Sequence, residues 1–378
     1  MERIIMPIRC INCGFPCQKY GKTRAGSQRW YCTRCNTSFV NTIDNSTKRF
    51  TQFITWLFSK DTQEMMPGKG RTFRRHTAAF LDIWPIPPKI DTRNDILFVD
   101  GIYLSKKVCI LICYDGSHVL GWYVCRSEQS RAWEALMQRI ASPVVVVSDG
   151  GTGFRKALKK VWRTAKLQRC IFHAVCQVKR YTTTRPKTIA GIMLYALGND
   201  LLHITSQEEA QAWVQRLFSW RITFRAFLSE MTRDSNGNLR STHERLLKAY
   251  NSLVVLIKTN TLFTYLDDTL QLEIDCPSTN NAIEGGVNAQ LRSLLRNHRG
   301  MSIERRIKAV FWWCYLHSPR PLSAKEILRT MPTGKSIAKI YKSMNDRAQL
   351  EGSIPTWGDA IVWSDLHNYD KLYFHNWD

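Results

Sequence analysis

The sequence contains no run of about 18 uncharged apolar residues, so it predicts no transmembrane helix. Its opening residues, MERIIMPIRC, carry charges early and lack the apolar core of a signal peptide. No internal repeat and no low-complexity segment stands out. The lack of a transmembrane helix and of a signal peptide predicts an intracellular protein whose cysteines stay reduced.

Acidic residues are scarce relative to basic ones. The 378 residues include 54 Lys and Arg but only 31 Asp and Glu, which gives a formal net charge of +23 at pH 7 and a pI of about 9.7. Such an excess favours a polyanionic partner, with nucleic acid ahead of an anionic membrane. The hydrophobic content of 44% excludes a disordered chain. The length allows about two or three domains.

Four of the 12 cysteines have the spacing of zinc ligands. Cys10 and Cys13 form one Cys-x2-Cys pair, and Cys32 and Cys35 form a second pair after a basic turn. Two such pairs complete a tetrahedral site for one structural Zn²⁺, which would supply most of the folding free energy of so small a segment. Unligated cysteines with accidental spacing are the alternative. Cys17 lies outside the motif.

Two helices are predicted next. Apolar residues recur across residues 50–58 at the spacing of one helix face. A second helical segment follows the break at Pro67-Gly68, and its basic start contains Arg71, Arg74 and Arg75. The pair resembles a helix-turn-helix, which makes these arginines candidate DNA ligands, although any helical hairpin has a similar pattern. The proline-rich residues 85–89 predict a linker.

From residue 95 onward, strands and helices alternate. Three strand-like runs with short turns, at residues 95–104, 108–114 and 118–125, predict an antiparallel meander. They are followed by a helix, a buried strand, a helix and a short strand, at residues 131–140, 144–148, 154–162 and 166–172. This is the order of an RNase H-like α/β domain, in which the first and fourth strands are neighbours. Residues 174–275 then read almost wholly as helices and predict an all-helical insertion.

Two aspartates occupy those neighbouring strands. Asp100 lies in the first strand, and Asp149 follows a run of four valines that predicts a strand buried on both faces. A third carboxylate, Glu284, lies near the start of a helix that Ser278 or Thr279 is expected to cap. Taken singly, Asp149 has the alternative of ordinary turn chemistry and Glu284 that of an exposed helical residue. Together they fit a phosphoryl-transfer site with two Mg²⁺ (or Mn²⁺) ions about 4 Å apart.

Four sequence blocks resemble the Mutator-like DDE transposases of bacterial insertion sequences, in the subgroup with an N-terminal zinc ribbon. The blocks are FVDGIYL around Asp100, VVSDGGTGF around Asp149, QRCIFHAVCQVKR at residues 168–180 and STNNAIEGGVNAQLRSLLRNHRGMS at residues 278–302. The resemblance extends to about residue 318. It implies an RNase H-like catalytic domain with a helical insertion before the catalytic Glu, and it makes Asp100, Asp149 and Glu284 the metal-binding triad. We expect their carboxylates to converge on a shared metal position.

The same resemblance covers a Cys/Asp-x2-His signature, which Cys170 and His173 match. We expect this pair beside the active site, in DNA contact or cleft packing; half of a zinc site and an ordinary core histidine are the alternatives. A basic trail after Glu284 supplies further candidate DNA ligands, namely Arg292, Arg296 and Arg299.

The predicted layout has four parts: a zinc ribbon, a helix-turn-helix-like DNA-binding domain, the catalytic domain and a C-terminal tail, at residues 1–42, 43–88, 89–318 and 319–378. The tail is Trp-rich at its end, and no function is assigned to it. The resemblance implies a transposase that binds double-stranded DNA, both terminal inverted repeats and target DNA, as a homodimer or larger assembly in the cytoplasm, on the nucleoid. Water would cut at the ends of the element, and the freed 3′-hydroxyl would attack target DNA. A transposase-derived DNA-binding protein without catalysis and a cellular RNase H-like nuclease are the alternatives.

Overall fold

The computed structural model describes residues 8–10, 12–40, 45–106, 108–336 and 339. The chain divides into two compact units, Met1–Phe53 and Ile54–Asp378. The four-part layout inferred from the sequence is finer than this division and stays a prediction. The tryptophans of the tail, Trp357, Trp363 and Trp377, lie outside the described residues.

The first unit contains a small antiparallel sheet of three strands in the order β1-β2-β3: β1 (Gln18–Lys22), β2 (Gln28–Tyr31) and β3 (Ser38–Val40). Trp30 in the central strand pairs with Lys19 on one side and Phe39 on the other. The rings of Tyr20 and Tyr31 stack with centroids 5.1 Å apart. Such a small sheet has few residues to form an apolar core of its own.

The second unit includes a helical pair at its start. Helix α1 (Ser46–Phe58) begins in the first unit and ends in the second, and α2 (Lys69–Thr77) follows and continues into a 3₁₀ turn, Ala78–Asp82. Trp56 and Phe73 pack edge to face, 5.6 Å between centroids, which joins the two helices. The ring of His298 also packs on Trp56, and its Nε2 lies 2.8 Å from the carbonyl oxygen of Leu57.

A five-stranded mixed sheet is the centre of the second unit. Its strands are β4 (Ile96–Ser105), β5 (Val108–Tyr114), β6 (Val119–Cys125), β7 (Val145–Ser148) and β8 (Lys166–Arg169), in the order β6-β5-β4-β7-β8. The first three strands are antiparallel neighbours, whereas β7 runs parallel to β4 and to β8. The predicted meander and the predicted pairing of the first and fourth strands are therefore present. The mixed α/β class is confirmed.

Helices cover both faces of this sheet. On one face lie α3 (Ser130–Met137) and α4 (Thr152–Val161), whose Trp133 and Phe154 pack edge to face at 5.1 Å. On the other face, α11 (Ile303–Leu316) places Phe311 against Trp122 of β6. Residues Val145–Ser148 are wholly buried between these layers, as the four-valine run predicts.

The strand predicted at residues 166–172 is wrong in its second half. Strand β8 ends at Arg169, and α5 (Ile171–Thr182) begins two residues later. Ile171, Ala174, Val175 and Val178 recur at i, i+3, i+4 and i+7 and are all buried, so the helical period takes over at Ile171.

The region predicted as an all-helical insertion is mainly helical but also contains a hairpin. Its helices are α6 (Ile189–Asp200), α7 (Gln207–Thr223), α8 (Arg225–Leu228) and α9 (Glu244–Lys258). Strands β9 (Met231–Arg233) and β10 (Leu239–Ser241) pair across a turn in which Asp234 Oδ1 accepts hydrogen bonds from the N–H groups of Asn236 and Asn238. The prediction of helices alone was therefore wrong at this point, because a polar turn closes a hairpin.

The chain returns to the sheet through a π-helical turn, Ala282–Asn288, and then continues as α10 (Ala289–Asn297), α11 and α12 (Ala324–Thr330). Ile283, Val287, Leu291 and Leu294 are buried, as predicted for one apolar face. Within the described ranges, no helix is both long enough and apolar enough to cross a bilayer.

Candidate active site

Asp100 lies in β4, where it is paired with Ile112 across the sheet. Both carboxylate oxygens accept hydrogen bonds: Oδ1 from the N–H of Gly101 at 2.8 Å and Oδ2 from the side-chain amide of Asn288 at 2.6 Å. Burial is the main cause that raises the pKa of Asp100 to about 7, and the charges of Asp149 and Glu284 also raise it. The hydrogen bond from Gly101 lowers this pKa but does not outweigh burial. The side chain is therefore a carboxylate held among other carboxylates.

Asp149 directly follows β7, and β7 pairs in parallel with β4, which brings Asp149 to the same region of the sheet as Asp100. Its Oδ1 accepts a hydrogen bond from the N–H of Gly151 at 3.0 Å. Gly150 has φ +85°, a left-handed conformation in which a side chain is strained. A Cβ at Gly150 would also lie 2.6 Å from Nη1 of Arg169. The glycine therefore lets the chain turn sharply and makes room for the arginine.

Arg169 brings positive charge close to the carboxylates. Burial lowers its pKa, while the nearby Asp149 and Glu284 raise it. Its Nη1 is buried and has no hydrogen-bond partner in the described part of the chain. The sequence analysis gave Arg169 no role, because one arginine at a strand end carries no pattern.

Glu284 enters the site from the π-helical turn. Two contacts of Asn280 fix the start of this turn: its N–H donates to Cys170 Sγ at 3.3 Å, and its side-chain amide donates to the carbonyl oxygen of Val99 at 3.1 Å. The residue before the turn is Asn281, which makes no side-chain cap, so the predicted cap at Ser278 or Thr279 was wrong. Buried contacts of Asn280, rather than a capping hydroxyl, position the turn.

Cys170, His173 and Glu284 form a compact group. Nδ1 of His173 lies 3.3 Å from Cys170 Sγ and 3.4 Å from Glu284 Oε1, and the ligand atoms of the three residues lie within 4.8 Å of one another. The His173 side chain is 32% exposed, and burial lowers its pKa. His173 thus lies against Glu284, and the predicted role of the pair beside an active site stays a prediction.

The three predicted triad residues form no equally tight group. Among the residues that the structure describes, the two clusters of ligand atoms within 4.8 Å are the four cysteines and the Cys170 group. Asp149 and Glu284 each raise the pKa of Asp100, so the carboxylates face one another over a longer range. Glu284 lies against His173, and the convergence of the three carboxylates on one shared metal position stays a prediction. Oε1 of Glu284 is buried, and Nδ1 of His173 lies 3.4 Å from it without the geometry of a hydrogen bond. The mutual repulsion of the carboxylates fits a cation.

Glu128 is a fourth carboxylate that sequence reasoning missed. Burial raises its pKa to about 7, Asp149 and Asp100 raise it further, and a hydrogen bond from Tyr103 lowers it. A Cβ at Gly101 would lie 2.7 Å from the Glu128 carboxyl carbon, which shows how closely Glu128 approaches β4. The sequence did contain one indication of this position. Glu128 follows β6, which runs in the same direction as β4, and residues that follow such strands lie at the same edge of the sheet.

Arginines line a cavity of about 810 Å³ next to Asp100. Its walls include Gly101 and Tyr103 of β4 together with four basic side chains, Arg292, Arg296, Arg299 and Arg306. The first three belong to the predicted basic trail, and Arg306 of α11 was missed. The other predicted DNA ligands, Arg71, Arg74 and Arg75, are exposed on α2.

The four predicted zinc ligands lie together in the first unit. Cys10 and Cys35 have their sulfurs 3.4 Å apart, and Cys13 lies 3.6 Å from both Cys32 and Cys35. A tetrahedral zinc with bonds of about 2.3 Å needs sulfurs about 3.8 Å apart, so the cluster fits the ion closely. Cys17 is not one of these four ligands but lies next to them: its thiol contacts the carbonyl oxygen of Phe15, and burial together with Cys32 and Cys10 raises its pKa to about 11.

The sheet order and the acidic side chains gathered at its centre define a mixed α/β protein with a candidate cation site. Residues 99–197 match the family model described as transposase, Mutator family. This span contains Asp100, Asp149, Cys170 and His173.

Two curated relatives are similar to the chain. The transposase for insertion sequence element IS905 of Lactococcus lactis subsp. lactis (strain IL1403) is 23% identical over 164 residues, which cover 39% of this chain and 41% of the relative. The transposase for insertion sequence element IS6120 of Mycolicibacterium smegmatis is 32% identical over 101 residues, 22% of this chain and 30% of the relative. The chain thus spans less than half the length of either relative. The resemblance to Mutator-like transposases of insertion sequences is confirmed, and the zinc-ribbon subgroup stays a prediction.

Proposed function

We propose that this protein is a DDE transposase that cuts DNA at the ends of an insertion sequence and joins those ends to target DNA. The observation that carries the proposal is the pairing of Asp100 and Asp149 through parallel neighbouring strands, with Glu284 close enough to raise the pKa of Asp100. The order β6-β5-β4-β7-β8 supports an RNase H-like catalytic domain. Similarity to two insertion-sequence transposases supports the reaction class.

Asp100, Asp149 and Glu284 would hold two Mg²⁺ or Mn²⁺ ions. Such ions, when bound, activate the attacking oxygen and stabilise the leaving oxygen of an in-line displacement at phosphorus. Asn288 orients Asp100 by its hydrogen bond, and His173 lies against Glu284. No serine or tyrosine nucleophile is required.

The remaining parts of the chain would bind DNA. Cys10, Cys13, Cys32 and Cys35 would hold one structural Zn²⁺ in the ribbon, and the exposed arginines of α2 would contact the terminal inverted repeats. The arginines of the cavity would contact DNA near the cleavage point. Joining two ends requires a homodimer or larger assembly, acting in the cytoplasm on the nucleoid.

A cleavage assay tests the proposal. The ends are defined by sequencing the DNA around the gene for inverted repeats, and labelled end DNA is incubated with Mg²⁺ or Mn²⁺. Asp100→Asn, Asp149→Asn and Glu284→Gln should each abolish cleavage while end binding, measured by gel shift, persists. Glu208→Gln, which removes an exposed carboxylate on α7, is the matched control and should cleave normally.

Other outcomes would identify the alternatives. Specific end binding with no cleavage by the wild type would indicate a DNA-binding protein descended from a transposase. Preferred cleavage of RNA–DNA hybrids or junctions over element ends would indicate a cellular nuclease. Loss of end binding together with cleavage in the three variants would reject their assignment as metal ligands.

A further inference from the structure

The arginine-lined cavity has a composition that suits one kind of ligand. Its volume is about 810 Å³, and none of the lining residues in the described chain is acidic. Arg292, Arg296 and Arg299 are exposed on or after α10, and Arg306 faces them from α11. Four guanidinium groups around one space favour a ligand with several negative charges, such as consecutive phosphates.

These arginines form no close ion pairs in the described residues, although the charge of Arg292 acts on Glu284 and lowers its pKa against the effect of burial. Within the described ranges, none of the four forms an ion pair with a carboxylate. The Nε of Arg306 is buried and has no hydrogen-bond partner among the described residues. A buried donor without an acceptor is unfavourable, so the unliganded cavity has a hydrogen-bond donor to satisfy. An anion that enters the cavity can satisfy it.

Tyr103 adds an aromatic surface to the same cavity. Its side chain is half exposed, with 50% relative accessibility. Two hydrogen bonds with Glu128 hold the ring in place. The Tyr103 hydroxyl donates to the Glu128 carboxylate, and the backbone N–H of Glu128 donates to the Tyr103 hydroxyl oxygen. A fixed aromatic ring beside guanidinium groups is the combination by which proteins bind single strands, since bases stack on the ring and cations contact the phosphates.

The size of the cavity suits an unpaired strand better than a whole duplex. A volume of 810 Å³ corresponds to a linear dimension of about 9 Å, which is room for a short segment of one strand. An unpaired strand is narrow enough to enter. The cavity wall includes Gly101, the residue after Asp100 in β4, so the cavity lies close in the chain to one of the carboxylates.

We propose that this cavity binds a short unpaired segment of the DNA strand next to the cleaved phosphate, with its phosphates on Arg296, Arg299 and Arg306 and one base stacked on Tyr103. The inference rests on the proposed function, because it identifies the form of DNA that reaches the carboxylates. It further assigns to Tyr103 and Arg306 a substrate-binding role that the motifs do not indicate.

Binding of a single-stranded probe tests the proposal without catalysis. The full chain is titrated, with no added divalent ion, into a fluorescein-labelled dT12 oligonucleotide at several salt concentrations, and anisotropy gives the affinity. Arg296→Ala and Arg306→Ala should weaken binding and reduce the slope of log K against log salt by about 0.7 each, the value for one phosphate contact on a single strand. Tyr103→Ala should weaken binding about tenfold with an unchanged slope, because stacking involves no charge.

Three controls make the result specific. Arg163→Ala removes an exposed arginine just after α4, away from the cavity lining, and should change neither affinity nor slope. Tyr103→Phe keeps the stacking ring and should bind better than Tyr103→Ala. This variant tests stacking even if Tyr103→Ala folds poorly. A 12-base-pair duplex should show no dependence on Tyr103.

The proposal is overturned if the duplex and the single strand lose affinity equally in all variants, or if the salt slope is the same in Arg306→Ala and wild type. Its failure is distinguishable from failure of the proposed function. If the wild type does not cleave end DNA but its binding of dT12 depends on Tyr103 and Arg306, only the transposase assignment is rejected. Cleavage that requires Asp100 together with wild-type strand binding by Tyr103→Ala would reject only the cavity.

Discussion

Asn288 donates a hydrogen bond of 2.6 Å to Oδ2 of Asp100, across 188 residues of sequence. Asn288 is fully buried, and it lies at the end of the same π-helical turn that carries Glu284. One amide therefore ties the turn with the glutamate to the strand with the aspartate. A hydrogen bond to a carboxylate also favours its ionised form, which is the form that binds a cation.

Asn288→Ala should therefore shift the acid limb of the pH–rate profile for cleavage to higher pH. Loss of a hydrogen bond to a charged group costs about 1.5–3 kcal/mol, so cleavage near pH 7 should fall about 10- to 100-fold and recover partly at pH 8.5. Cleavage rates over a pH series measure this. Asn297→Ala, at an exposed position at the end of α10, is the control. A rate that falls equally at every pH would contradict the orienting role.

The raised pKa of Glu128 makes stability depend on pH in the absence of metal. Its pKa is about 7 in the folded protein and near 4.5 when unperturbed. A raised carboxyl pKa means that the folded state binds its proton more tightly, so this stability is present at low pH and lost as pH rises through about 7. In thermal unfolding without divalent ions, the unfolding midpoint of Glu128→Gln should therefore rise relative to that of wild type as the pH is raised from 5 to 8. Equal differences at both pH values would contradict the assignment.

Divalent ions should offset the loss of wild-type stability at high pH. Mn²⁺ offsets the repulsion among Asp100, Asp149 and Glu128, so it should raise the unfolding midpoint of the wild type more at pH 8 than at pH 6. Asp149→Asn should lose most of this stabilisation. Differential scanning fluorimetry with and without Mn²⁺ measures both effects, with Glu208→Gln as the unaffected control. Stabilisation that is independent of Asp149 would place the ion elsewhere.

The zinc content of variants should show that the four clustered cysteines bind the ion and that Cys17 does not. Cys13→Ser removes one of four ligands, and the chain should then retain much less than one zinc ion after dialysis. Cys17→Ser is the matched control, since Cys17 is a nearby thiol outside the cluster, and should keep one ion per chain. Elemental analysis by mass spectrometry measures both. Equal zinc loss in the two variants would contradict the four-cysteine site.

Gly153→Ala should destabilise the second unit. A Cβ there would lie 1.9 Å from the carbonyl oxygen of Glu128, a backbone atom that cannot turn aside as a side chain does. Overpacking of this kind costs about 1–3 kcal/mol. Gly300→Ala, where a Cβ meets nothing within 4 Å, is the control for chemical denaturation. An unchanged unfolding free energy for Gly153→Ala would show that the loop before α3 adjusts freely.

The strands of the sheet could be predicted from the sequence because their patterns are local. Val108–Tyr114 is apolar throughout and was placed without error, and the four valines before Asp149 predicted a doubly buried strand. The end of β8 was missed because Lys166–Arg169 and Ile171–Thr182 adjoin closely, so two periodicities overlap in a short window.

The residues that complete the site were harder to predict, since their contacts are distant in sequence. Asn280 and Cys170 meet across 110 residues, and no spacing rule relates them. Glu128 stands alone in a polar loop, and only the direction of β6 could have indicated its approach to Asp100. Motif resemblance found Asp100, Asp149 and Glu284 but not the amide that holds Asp100 or the arginine beside Asp149.

The long separation between β7 and the π-helical turn has a consequence for synthesis. Strands β4 and β7 are complete early on the ribosome, whereas the turn with Glu284 emerges only after helices α5 to α9. Because domains acquire their contacts as the chain lengthens, a nascent chain carries the two aspartates without their partner amides and glutamate. The cleavage proposed above needs all of these groups, so a chain that stops before residue 280 would lack it.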